Sequence, residues 1–139
     1  MDDGDPLEMA FQVDRFMRRL NARVHSQAPI FDKDRIGPIG GMILLTLAEV
    51  QPAPMNQIVT MMARDKSQLS RIFSNLERRG LVTRSANEAD QRSSLLSLTD
   101  EGEAFVETIK QVVAGSIGEL LEPLDAKERQ TLLALLAKT

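Results

Sequence analysis

Apolar residues recur along this chain with two different periods. Leu7, Phe11, Phe16, Met17, Leu20 and Val24 return every three to five residues, the spacing of one helix face, and Pro29 closes the pattern. A helix is therefore predicted over 5–28. Pro29 to Gly37 reads as a loop, and Pro38 suits a first helical position, where its missing N–H costs nothing. Met42, Leu44, Leu45, Leu47 and Ala48 predict a short helix that stops before Pro52-Ala53-Pro54, and 55–62 a third. After a brief turn at Ala63-Arg64, Leu69, Ile72, Phe73 and Leu76 follow the i, i+3, i+4, i+7 rule of a buried stripe. That helix is predicted over about 66–79. Asp65 and Gln68 match a capping box at its start, and Gly80 stands where a C′ glycine belongs.

Beyond Gly80 the period changes. Residues 81–86 and 93–98 are two strand-like runs separated by the polar Asn87-Glu88-Ala89-Asp90-Gln91-Arg92, a hairpin loop by composition. Thr99 then caps a long helix carrying Phe105, Ile109, Val112, Val113, Ile117, Leu120 and Leu121, and Asp125 with Glu128 opens a Leu-rich terminal helix to about Lys138. Helix, turn, helix and hairpin in succession is the order of a winged helix-turn-helix. The fold class expected is mainly α with a small β-hairpin wing, flanked by long N- and C-terminal helices. We divide the chain into an N-terminal helix and loop (1–36), a winged region (37–98, wing about 81–98) and C-terminal helices (99–139).

The helix over 66–79 carries chemistry on the side away from its apolar stripe. At 100° per residue, Ser67, Arg71, Ser74 and Arg78 share that side, with Gln68, Ser70 and Asn75 beside them. Small hydroxyl residues let a helix backbone approach the major groove, and Arg and Gln reach guanine and adenine edges in bidentate fashion. Ser67, Gln68, Ser70 and Arg71, near the helix start, are placed for base edges; Lys66 and Arg78 suit phosphates. The bland reading is a solvated face held by salt bridges, but few acids stand within reach of it.

Composition narrows the classes. Cysteine is absent, so disulfides, thiolate nucleophiles and thiol sensing are excluded; His25 is the only histidine, which removes His-pair metal sites. The net charge of −3 hides a distribution: residues 1–63 carry −2, residues 64–98 carry +3 and residues 99–139 carry −4. The acidic start lacks a signal peptide's basic region and apolar core, and no run is long enough to span a bilayer, so a cytoplasmic protein without a membrane partner is expected. Carboxylate runs such as Glu101 with Glu103 have no apolar pocket to raise a pKa, and there is no phosphate-cradling glycine loop. We assign no catalytic residue, no metal and no cofactor. Asp32 and Asp34 could touch a cation, but two loop carboxylates rarely suffice.

Residues 54–102 resemble the core of the MarR family of transcriptional regulators. The resemblance rests on Asp65-Lys66-Ser67-Gln68-Leu69-Ser70-Arg71, then Leu76 to Arg84 (Leu-Glu-Arg-Arg-Gly-Leu-Val-Thr-Arg). It continues with Asp90-Gln91-Arg92 and Leu98-Thr99-Asp100-Glu101-Gly102. It implies a homodimer with interlocking terminal helices that binds double-stranded DNA at a pseudo-palindromic operator, usually as a repressor released by a small-molecule effector. The family's Asp-x-Arg wing motif falls on Asp90 and Arg92, with Arg84 also in the wing. The Asp90 carboxylate can brace the Arg92 guanidinium for a narrow minor groove; the bland reading is a surface ion pair worth under about 1 kcal/mol. Gln91 and Glu88 weaken phosphate attraction at the wing. Pro54 replaces the usual Ser/Thr cap, and Gly37-Pro38-Ile39-Gly40-Gly41 is glycine-rich where the family has a firmer helix start. That helix borders the family's usual ligand cleft, to which we assign His25, Phe31 and Met42.

The terminal helices are more apolar than one winged domain needs. Leu120, Leu121, Leu124, Leu132, Leu133, Leu135 and Leu136, with Leu7, Phe11 and Phe16, either cover a partner subunit or fill an intramolecular core. The methionines of the first half more often fill core gaps than sense oxidants. Two functional readings remain at this point: a dimeric DNA-binding regulator, and a protein-interaction or anti-repressor module that keeps the fold without binding DNA.

Overall fold

A computed structural model describes residues 4–27 and 36–139. They contain α1 (Pro6–Ser26), α2 (Gly37–Val50), β1 (Ala53–Pro54), α3 (Met55–Met62), α4 (Lys66–Arg78), β2 (Val82–Ala86), β3 (Ser94–Leu98), α5 (Asp100–Leu120) and α6 (Ala126–Leu136). The chain divides into two compact units, Gln27–Gln111 and Met1–Ser26 with Val112–Thr139.

The first unit is a winged helix. Its sheet has the order β1-β3-β2, all antiparallel, with Val82 opposite Leu98 and Ala86 opposite Ser94 in the hairpin. The hairpin strands fall where β-branched and apolar residues predict them. The third strand is not legible from the pattern: Ala53 and Pro54 pair with Leu96 and Leu95, and two residues show no alternation. Pro54 is tolerated because β1 is an edge strand, where a missing N–H forfeits little. Pro54 is also the residue before α3, and no side chain caps that helix.

Packing explains the rest of the unit. Ile43, Leu44 and Leu47 of α2, Ile58 of α3, Leu69, Phe73 and Leu76 of α4, and Leu96 of β3 are fully buried together with Ala53 and Ile109. α2 begins where Pro38 predicts, with Pro38 in its first turn, and Gly40 and Gly41 are buried helical positions. Between α3 and α4 the chain reverses at Ala63, whose φ of 51° is left-handed.

The end of α4 is set by its sequence. Gly80, at φ 75°, donates to the Glu77 carbonyl at 3.0 Å, and Leu81 N–H to the Leu76 carbonyl at 3.0 Å. This is a Schellman termination, and the buried Leu76 and Leu81 supply its usual apolar contact. Thr99 ties the next helix to this corner: its hydroxyl donates to the Gly80 carbonyl at 2.5 Å and accepts from Gly102 N–H at 3.0 Å.

In the second unit, the Asp5 carboxylate accepts from Leu7 N–H at 2.9 Å just ahead of Pro6, which starts α1. Arg23 pairs with Glu119 at 3.0 Å, and the Arg129 guanidinium donates to the Leu121 carbonyl through Nε (3.2 Å) and Nη2 (3.0 Å). Both halves of the Asp125–Glu128 capping box form, as the spacing predicts. Apolar surface is left uncovered: Leu7, Phe11 and Val13 are each more than 60% exposed, and Leu133 is 71% exposed.

Candidate nucleic-acid interface

The two faces of α4 separate as the periodicity predicts. Leu69, Phe73 and Leu76 are buried and Ile72, the fourth residue of the stripe, is half-buried, whereas Lys66, Ser67, Arg71, Ser74 and Arg78 are exposed, and Gln68, Ser70 and Asn75 are half-buried at the margin. Lys66, Arg71 and Arg78 make no ion pair with any described residue. This counts against a solvated face held by salt bridges, since such a face would spend its charges on one another. Ser74 Oγ donates to the Ser70 carbonyl at 3.1 Å, folding one hydroxyl back onto the helix.

The start of α4 corrects one sequence expectation. Asp65 is the N-cap, but its carboxylate accepts from Ser67 N–H at 3.2 Å, one residue short of Gln68. Without the bond to the third residue there is no reciprocal capping box. The Gln68 side chain is thus not committed to the helix start. Glu77, which has no partner on its own helix, reaches across to β2 and binds Arg84 Nε at 2.6 Å. Arg84 is therefore neutralised within the fold, unlike the cations of α4.

The wing corrects a second expectation. Asp90 does not brace the Arg92 guanidinium; its Oδ1 accepts from the Arg92 backbone N–H at 3.0 Å. Two residues apart in a turn, the carboxylate finds the amide before a long flexible side chain can reach it. The guanidinium makes no ion pair with any described residue, and Asp90 and Arg92 are both exposed. Asn87 is a structural residue that the sequence reading did not single out: its Oδ1 accepts from Ala89 N–H at 3.1 Å and its Nδ2 donates to Ser93 Oγ at 3.0 Å. An Asn three positions before an Asp, at a loop start, was the available signal. Gln51 was also missed. It accepts from Leu98 N–H at 2.8 Å, a contact 47 residues away that no local pattern announces.

Of the residues assigned to a ligand cleft, Met42 is exposed on α2 in the winged unit, and His25 is exposed near the end of α1 in the other. Phe31 lies outside the described residues, as do Asp32 and Asp34. An open cleft of about 790 Å³ in the second unit is framed by Arg19, Arg23, Glu119, Leu120 and Pro123, and His25 does not line it. Among the described residues there is no cluster of acids or histidines able to hold a metal, and no helix is long and apolar enough to cross a membrane.

The MarR family model matches residues 41–94, the stretch from α2 through the wing. A structure described as a probable transcriptional regulator from Pseudomonas aeruginosa is 31% identical, over 94% of this chain and 98% of its own, with a TM-score of 0.67. The chain belongs to the MarR family. Two further structures share its fold. The transcriptional repressor CouR, bound to a 23-mer DNA duplex, is 26% identical, over 99% of this chain and 96% of its own, with a TM-score of 0.77. Wild-type apo MarR from E. coli has a TM-score of 0.81 at 23% identity, each chain covered over 98%. As a MarR-family fold, the exposed face of α4 and the hairpin beyond it are the helix and wing of one winged helix.

Proposed function

We propose that this chain is a sequence-specific DNA-binding repressor that acts as a homodimer on a pseudo-palindromic operator. The observation that carries the reading is the exposed face of α4, where Lys66, Arg71 and Arg78 make no ion pair with any described residue, beside Ser67 and Ser74, on a helix that buries Leu69, Phe73 and Leu76 on its other side. In this reading Ser67, Gln68, Ser70 and Arg71 meet base edges, Lys66, Ser74, Asn75 and Arg78 lie along the backbone, and Arg92 enters the minor groove. Arg84 steadies the wing through Glu77 rather than meeting phosphate.

The dimer is supported by the apolar surface of the second unit, and release by a small effector by the family likeness. A fluorescence titration with duplex from the chain's own upstream region tests the DNA reading. Arg71→Ala should cost about 1–3 kcal/mol and relax sequence preference. Arg92→Ala should weaken binding on every sequence and lower the salt slope by about 0.9. Wild-type affinity that is independent of salt would sink the reading.

A further inference from the structure

The seven residues 87–93 between the wing strands form two turns that share Asp90. Asp90 N–H donates to the Asn87 carbonyl at 3.2 Å, closing the first turn, and Ser93 N–H donates to the Asp90 carbonyl at 3.2 Å, closing the second. Each turn opens on a residue whose side chain repeats the job. Asn87 Oδ1 holds Ala89 N–H at 3.1 Å, and Asp90 Oδ1 holds Arg92 N–H at 3.0 Å. Asn87 also spans the base of the loop, its Nδ2 reaching Ser93 Oγ at 3.0 Å in a half-buried position. The backbone is thus held at both turns while the Arg92 guanidinium stays unpaired among the described residues.

We propose that Asp90 and Asn87 are positioning residues that order the wing through its main chain, so that Arg92 is presented by a fixed backbone rather than by an ion pair. This rests on the DNA-binding reading and deepens it. An ion pair would spend the guanidinium's charge before contact, and would have to break or stretch as phosphates compete for it. An amide contact leaves the whole charge available and still removes backbone freedom that would otherwise be lost on binding. The carboxylate charge is then incidental, and next to phosphates it is unfavourable.

The two mechanisms separate on one substitution. In Asp90→Asn the side-chain oxygen still accepts from Arg92 N–H, but no charge remains to pair with a guanidinium. Duplex affinity should stay within about twofold of wild type or tighten, whereas Asp90→Ala and Asn87→Ala should each weaken it about three- to tenfold. In an Arg92→Ala background, Asp90→Ala should cost nothing further, which a general loss of structure would not reproduce. Hydrogen exchange at the Arg92 amide, measured on the free protein, should quicken in Asp90→Ala and not in Asp90→Asn. Asp90→Asn binding as weakly as Asp90→Ala overturns the proposal, and so does additivity of Asp90→Ala with Arg92→Ala. Failure of the wild type to bind duplex is a different result: it removes the DNA reading, and this proposal falls with it.

Discussion

Gly102 stands at the first turn of α5, where a Cβ would lie 2.1 Å from the Leu81 carbonyl oxygen. That oxygen already accepts from Thr99 N–H at 3.1 Å, so neither partner can retreat without breaking the corner that joins α4, the hairpin and α5. Gly102→Ala should therefore destabilise the protein by about 1–3 kcal/mol, the cost of overpacking a site that cannot expand. Urea denaturation reads this as a lower midpoint at unchanged slope. Gly80 is constrained differently, by a φ of 75° that a side chain disfavours. The two glycines look alike in the sequence and do different work, one conformational and one steric.

Elements in the winged unit are joined by polar contacts as well as by the apolar core. Glu77 and Arg84 link the last turn of α4 to β2, at 30% and 37% side-chain exposure. Solvent this close limits the stability they add to under about 1 kcal/mol. Their larger effect is on charge. Glu77→Gln releases Arg84, which lies in the same basic stretch as Arg78 and Arg92. We expect thermal stability to fall slightly and the salt dependence of duplex binding to steepen by up to about 0.9 if the freed side chain takes a phosphate. A titration at several salt concentrations, beside a melting curve, separates the two effects. An unchanged slope would mean that Arg84 has no phosphate within reach.

Over the whole molecule, burial is uneven. Every buried apolar side chain among the described residues lies between Ile36 and Ile109, within the winged unit. The second unit leaves Leu7, Phe11, Val13, Leu133 and Leu136 each at least 60% exposed, surface that an isolated soluble chain would not keep. Covering each such side chain is worth roughly 1.5–3 kcal/mol, so a second copy is the occupant our proposed function assigns. Leu133→Asp should weaken self-association at least about tenfold, because a carboxylate would be buried without a partner. Sedimentation against concentration checks this. A monomeric wild type would remove the dimer and leave the winged unit's chemistry untouched.

What the sequence determined by itself was whatever depends on neighbours within about seven residues. The stripe of Leu69, Phe73 and Leu76, the Gly80 termination, the Asp125–Glu128 box and the hairpin strands all follow from local spacing and backbone geometry. The polar face of α4 was legible for the same reason, since a helix that buries one side must expose the other. Local reasoning erred where two geometries were equally close: Asp65 took the amide of Ser67 instead of the one at Gln68, and Asp90 took an amide instead of a guanidinium. It erred also on the methionines, since Met17, Met42 and Met61 are exposed rather than filling core gaps. Tertiary structure alone decided the distant partnerships. Strand β1 exists because Leu95 and Leu96 present open backbone groups to Ala53 and Pro54. Gln51 finds Leu98, and Gly102 is required by a carbonyl 21 residues before it. None of these leaves a periodic trace, because such a contact depends on how the whole chain is packed rather than on the order of residues around it.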